Sequence, residues 1–270
     1  MRLFADHRVV VRGGGDLATG VVARLHRAGF PVIVLELAAP LAIRRAVSVA
    51  RAVREGRADI EDLQARLAGT PTEAFEMANA GDLPVLVSEG LPTFPELFSI
   101  VVDARVTKAA LDTAIDQAPL VVALGPGFIA GTHCHAVVET MRGHHLGRVL
   151  WSGSAAANTG VPGRVGGKSA ERVLRSTSSG PITWNVDIGD LVEAGQTLGT
   201  VAGEPIVTSL DGVVRGLIDP VVPAFPGLKV ADIDPRGDRS ACFEISDKAL
   251  AVGGGVLEAI LVWLNGSRPE

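Results

Sequence analysis

Residues 9–11, Val-Val-Val, are an unbroken β-branched run, too short for a helix and apolar on both faces. That pattern predicts a central parallel strand covered by helices. Over residues 17–28, Leu17, Val21, Val22, Leu25 and Ala28 recur three or four apart, which predicts a helix with one apolar stripe, ended by Gly29. Residues 31–36, Pro-Val-Ile-Val-Leu-Glu, read as a second buried strand. The chain therefore opens on a βαβ unit.

Residues 41–67 are rich in Ala, Arg and Leu and read as helical, with an interruption near Gly56. The apolar runs at 83–87, 100–102 and 120–124 predict further strands of the same sheet. Residues 125–145 begin rich in glycine and histidine, which suits a ligand-facing loop after a strand carboxyl end, and a helix is expected over 136–141. Asn-Thr-Gly, Pro-Gly and Gly-Gly then cluster between 158 and 167, the signature of a hinge. Beyond it the period changes. Short alternating segments between 180 and 218 are punctuated by Gly189-Asp190, Glu193-Ala194-Gly195-Gln196 and Asp211-Gly212, turn signals of a small β-rich module. Its spacing resembles a lipoyl- or biotinyl-like barrel sandwich, although the hairpin that would present a modified lysine reads Gly203-Glu204-Pro205-Ile206. A last apolar helix over 256–264 is expected to dock back on the core, followed by a frayed tail at 265–270.

The fold expected is α/β: a Rossmann-like parallel sheet in residues 1–157, a linker at 158–179, and a β-rich module with a C-terminal helix at 180–270. A length of 270 residues suits two domains. A net charge of −5 and only 4% aromatic residues argue against a nucleic-acid-binding face. Cys134 and Cys242 show no CxxC pairing, so neither a disulfide framework nor a zinc ribbon is indicated. With no signal peptide and no apolar run long enough to span a bilayer, a cytoplasmic protein without membrane partners is expected.

The strongest chemical signal is Gly13-x-Gly15-x-x-Ala18, set between strand and helix within Arg12-Gly13-Gly14-Gly15-Asp16-Leu17-Ala18. Glycines there permit a tight turn and close approach of backbone amides to a pyrophosphate at the helix start. Arg12 is the nearest countercharge. Glu36 ends the second strand, where a carboxylate can bind ribose hydroxyls. Asp16 opposes this reading, because a carboxylate at the helix start competes with phosphate for the same amides. Gly125 and Gly127 form a second glycine loop after a strand.

Weaker patterns are read as structural. His133-Cys134-His135 could hold a soft metal or present a reactive thiolate, but adjacent residues are poor joint ligands, so no metal site is assigned. Gly163 to Ser169 is similar to a phosphate-binding loop, yet Pro162 stands where the first glycine is required and no strand leads into it. Asp232 and Asp234 could face a cation or a substrate, or close a turn with Arg236.

Several longer phrases resemble a known family: residues 12–20, Leu124-Gly-Pro-Gly-Phe128, Glu139-Thr-Met-Arg-Gly-His144, Asn158-Thr-Gly160, residues 227–236, Ile245-Ser-Asp-Lys248 and residues 253–259. Together they are similar to the YqeB-type accessory proteins of selenium-dependent molybdenum hydroxylase systems. The resemblance implies maturation of a xanthine-dehydrogenase-like enzyme, a molybdenum hydroxylase subunit as partner, and molybdopterin dinucleotide as the ligand across the Gly13–Ala18 turn and the Gly125 loop. Two alternatives remain open: an NAD(P)-dependent oxidoreductase with Glu36 on the ribose, and a non-catalytic scaffold for hydroxylase assembly.

Overall fold

The computed structural model describes residues 3–107, 112–161 and 163–266. Nine strands make the main sheet: β1 (Val9–Arg12), β2 (Val32–Glu36), β3 (Arg57–Ile60), β4 (Leu63–Ala68), β5 (Leu83–Val87), β6 (Ile100–Asp103), β7 (Leu120–Leu124), β8 (Ala136–Val138) and β9 (Val149–Leu150). Their order is β3-β4-β5-β2-β1-β6-β7-β8-β9. The seven strands from β4 to β8 are parallel to their neighbours, and only the edge strands β3 and β9 run antiparallel.

The β-branched runs end up here because both faces of this sheet are covered. Val9 and Val11 point into one core, shared with α1 (Asp16–Arg27) and α4 (Asp247–Leu264). Val10 points the other way, into a core with Ile33, Leu35 and Phe75 of α3 (Pro71–Ala80). Each such aliphatic side chain is worth roughly 1.5–3 kcal/mol when fully buried.

The run at 41–67 is not one helix. It makes two 3-10 turns, the four-residue α2 (Ala52–Glu55), and the β3–β4 hairpin. Ala58, Ile60, Leu63 and Ala65 are buried while Arg57, Asp59, Gln64 and Arg66 are exposed, so a period of two overrides the helix propensity of the composition. Residues 136–138 are likewise a strand: Ala136, Val137 and Val138 are all buried against β7, and no helix covers 136–141. The final helix starts nine residues earlier than expected, capped by the Ser246 hydroxyl, which accepts from the Ala249 amide. Three consecutive glycines, 253–255, hide that start in the sequence. Most of the tail expected at 265–270 lies outside the described residues.

The C-terminal half adds two antiparallel sheets around a core of its own. Its strands are β10 (Val173–Arg175), β11 (Ile182–Trp184), β12 (Leu191–Val192), β13 (Thr197–Val201), β14 (Glu204–Val207), β15 (Gly212–Leu217) and β16 (Lys229–Asp234). One sheet is ordered β10-β16-β15-β12, the other β11-β13-β14. Strand β10, inside the stretch expected as linker, pairs with β16. The module docks on the loop after β2, where a Cβ on Gly216 would lie 2.7 Å from the Ile43 carbonyl oxygen.

Helices α1 and α4 approach so closely that a Cβ on Gly20 would sit 2.2 Å from the Ala249 carbonyl oxygen, and one on Gly253 would sit 2.3 Å from that of Gly20. Alanine normally stabilises a helix over glycine by up to about 1 kcal/mol, but forced overpacking costs about 1–3 kcal/mol. Gly20→Ala is therefore expected to lower the thermal midpoint. Gly254→Ala, whose Cβ would meet nothing within 4 Å, is expected to raise it. Thermal denaturation of the two variants checks this; a rise in both would show that the helices do not meet at Gly20.

Candidate functional site

A cavity of about 1160 Å³ opens at the carboxyl ends of the parallel strands. Its sheet-side wall comes from the segments after β1, β2, β5, β6, β7 and β8, and Arg215, Lys229 and Asp232 face them from the β-rich module. The loop at 158–169 and the start of α4 complete the wall through Asn158, Arg164, Ser246 and Lys248. Ligands of open α/β sheets bind at this end, where the connections diverge to either side.

The glycine turn lies at the divergence between β1 and β6. Gly13, at φ +96°, is held where an added Cβ would touch the backbone of Ala104 and Arg105 at 3.1–3.2 Å. Gly14 is packed against Ala50, 2.9 Å from its amide nitrogen to an added Cβ. Gly15 differs: its φ of −66° suits any residue, and a Cβ there would meet nothing within 4 Å. It is the N-cap of α1 and lines the cavity, as do Asp16, Leu17 and Ala18. The first helical bond within this turn is Thr19 N–H to the Gly15 carbonyl at 2.8 Å, so the N–H groups of Asp16, Leu17 and Ala18 precede the intrahelical ladder.

The two carboxylates nearest this turn, Glu36 and Asp16, both have partners. Glu36 accepts from the Gly14 amide at 2.7 Å and the Leu37 amide at 2.7 Å. Burial raises its pKa, and those two amides pull it back. Gly14 is thus unavailable to a phosphate and is absent from the wall, which corrects its place among the expected ligand contacts. Glu36 itself lines the cavity; each of its oxygens carries one bond, and a carboxylate oxygen can accept more. Asp16 makes no cap and lies 3.5 Å from Arg44 Nη1.

Arg12, expected as the nearest countercharge, is 2% exposed and bonded through Nη2 to Asp112, while its buried Nη1 has no hydrogen-bond partner among the described residues. Arg105 joins Asp112 at 2.8 Å and fully buried Asp103 at 2.6 Å. Gly125 and Gly127 are not in the wall, although Pro126 between them is. A Cβ on Gly125 would lie 2.5 Å from the Thr140 hydroxyl, so this glycine serves the packing of the loop on the segment after β8.

Sequence reasoning missed most of the cations. Arg44, Arg142, Arg172, Arg215, Lys229 and Lys248 all line the cavity. Arg142 forks onto Asp247 at 2.7 and 2.8 Å, and Arg172 pairs with buried Asp232. The Lys248 ammonium forms no ion pair among the described residues. Burial lowers its pKa, Asp16, Glu139 and Asp247 raise it, and Arg142 lowers it. Glu139 accepts from the amides of Met141 and Ala156, both at 2.7 Å, and pins the 139–156 segment. Lys248, Lys229, Arg142 and Glu139 stand inside the phrases that carry the family resemblance, but nothing local in those phrases marks them as convergent.

The remaining motifs lie apart from the chemistry expected of them. Cys134 is buried, and burial, reinforced by Asp103, pushes its thiol up to about 12, which keeps it protonated at neutral pH. His133 and His135 spend Nδ1 accepting the amides of Ile129 and Val121. Among the described residues no group of three or more His, Cys, Asp or Glu side chains could hold a metal ion. No helix of the described residues is long and apolar enough to cross a membrane. The phosphate-loop-like stretch closes in a Val165–Lys168 turn and leads into only one 3-10 turn, and Pro162 lies outside the described residues.

No family model matches the chain. It is 45% identical over 258 residues, 95% of its length, to the uncharacterized protein YqeB of Escherichia coli (strain K12), and that match supports the YqeB family. The chain spans about half the length of that relative, 48%. A solved succinylglutamatedesuccinylase/aspartoacylase from Rhodobacter sphaeroides aligns with 84% of this chain and 85% of its own, at 16% identity and a TM-score of 0.27, too low to bear on the fold.

Asp112 links Arg12 and Arg105 beside the turn. Burial raises its pKa, but the two guanidinium partners outweigh it and hold the carboxyl down at about 2. A depressed carboxylate contributes stability above its unfolded pKa of about 3.9, and that contribution is lost as pH falls through the folded value. Denaturant midpoints of the wild type are therefore expected to fall more steeply than those of Asp112→Asn between pH 4 and pH 2. Parallel curves would show that the Arg12–Asp112 pair is not formed in solution.

Proposed function

With the YqeB family supported over the matched region, we propose that this chain binds a nucleotide-bearing ligand in the cavity and acts as an accessory protein in the maturation of a molybdenum hydroxylase. The observation that carries the binding half is the open Gly15 turn at the start of α1, set in a wall where nine arginines and lysines outnumber five carboxylates. Strands β5-β2-β1-β6-β7-β8 run in the order 3-2-1-4-5-6 of dinucleotide-binding sheets, which supports a Rossmann-like reading. The cavity is larger than the roughly 300–1,000 Å³ of ordinary small-molecule pockets, which suits a dinucleotide.

The hydroxylase half rests on the family resemblance. A molybdopterin dinucleotide fits the residues present: the α1 amides and Arg12 Nη1 would meet its pyrophosphate, and the remaining volume would take the pterin. A hydroxylase subunit is the partner, and the site of action is cytoplasmic. We read the two C-terminal sheets as a lipoyl- or barrel-sandwich-like module that serves as a wall of the cavity, since its hairpin lacks an acceptor lysine. The second reading, an NAD(P)-dependent oxidoreductase, is favoured by the place of Glu36 at the end of β2 in the cavity wall.

Gly15→Asp is a clean test, because Asp is a good N-cap and has open space at this position. The fold should stand while the carboxylate occupies the amides. Calorimetry with a nucleoside diphosphate is expected to show binding to the wild type and a loss of about tenfold or more in the variant. Equal affinities would remove the turn from the site. Native mass spectrometry of the protein from molybdate-fed cells separates the two readings: a retained pterin dinucleotide supports maturation, and a retained nicotinamide dinucleotide overturns it.

A further inference from the structure

We propose that Arg44 and Arg215 form a second oxyanion subsite, where the cavity meets the β-rich module, and that it takes a phosphate group. The inference deepens the nucleotide reading by giving the ligand a second anionic anchor. Arg44 comes from the loop after β2 and Arg215 from β15; each is 7% exposed and both line the cavity. Each leaves a buried Nε without a hydrogen-bond partner among the described residues.

Their carboxylates satisfy them poorly. Asp16 stands 3.5 Å from Arg44, and Asp234 stands 3.6 Å from Arg215 while bonding Arg236 at 2.6 Å. Arg44 also reaches the carbonyls of Ala241 and Glu244, at 3.0 and 3.4 Å, which fixes its guanidinium in place. Burial works against the Arg44 charge, Asp16 and Asp232 support it, and Arg215 opposes it. Two buried like charges that oppose each other, with long ion pairs, are costly unless an anion stands between them. A guanidinium offers a planar fork of N–H donors that matches phosphate oxygens. Two other arginines of the wall are better satisfied: Arg142 is bidentate on Asp247, and Arg105 holds both Asp103 and Asp112.

The probe is inorganic phosphate, followed by calorimetry. The wild type is expected to bind it, Arg215→Met to bind it about tenfold or more weakly, and Arg215→Lys, which keeps the charge but not the fork, about threefold more weakly. Gly15→Asp should retain phosphate affinity within about threefold. If Arg215→Met fails to fold, the Lys variant carries the comparison. No phosphate binding by the wild type, or affinity unchanged in both Arg215 variants, overturns the subsite. Loss in Gly15→Asp alone places phosphate on the glycine turn and also overturns it. Phosphate binding that depends on Arg215 in a protein that ignores nucleoside diphosphates would sink the nucleotide reading and leave the subsite standing.

Discussion

The site depends on the contact between α1 and α4 at Gly20 and Gly253. The chain leaves the sheet at β9, builds the β-rich module, and returns as α4 to lie on the face already covered by α1. Only glycine lets the two backbones meet this closely, since any Cβ at either position would fall well inside a carbonyl oxygen's contact distance. The return fixes two things at once. It sets Lys248, in the first turn of α4, within electrostatic reach of Asp16 in the first turn of α1. It also ties the module to the sheet at both of its ends, so the cavity has a far wall. Gly255, two residues on, repeats the device against the Gly147 carbonyl in the segment between β8 and β9.

Charge in the turn is then settled by geometry. A helix start with carboxylates at Asp16 and Glu36 should repel a phosphate. The structure turns each acid aside: Glu36 closes the second glycine onto β2, and Asp16 leans to Arg44. The helix start is left with amides and no acidic cap. Glu36 therefore has a structural duty that any ribose contact would have to share, and the amides left open at this helix start are those from Gly15 to Ala18 and not the whole glycine run.

The βαβ unit and the three later parallel strands were legible because buried parallel strands read as continuous apolar runs, and helix 16–27 because its stripe has a clear period. The glycine turn was legible for the same reason: strand, turn and helix follow without interruption. Where composition stood in for period, at 41–67, the reading failed, because Ala and Arg suit a hairpin once alternate residues are buried. At 136–138 a three-residue strand is too short for periodicity to decide. The second half of the site was beyond sequence pattern altogether. Arg44, Arg172, Arg215 and Lys248 are spread over two hundred residues and converge only because the module folds back over the sheet. A single basic residue in a strand such as Arg215 carries no local mark of its burial.

An acidic protein with a cationic cavity wall raises the question of what range its attraction has. The acids that pair with Arg12, Arg105, Arg142 and Arg215 are Asp112, Asp103, Asp247 and Asp234, none of them in the wall. With the wall's own five carboxylates, and with Arg236 counted beside the Asp234 it shares, they bring nine acids against ten cations. Beyond a Debye length of about 8–10 Å the site is close to neutral, and the net charge of −5 repels an anion weakly. Long-range steering would therefore contribute little to the anion binding proposed for this cavity. Selectivity for such a ligand would come at contact, from N–H donors in the wall whose countercharges lie outside it, an arrangement that discriminates by the shape and spacing of acceptor oxygens and not by charge alone.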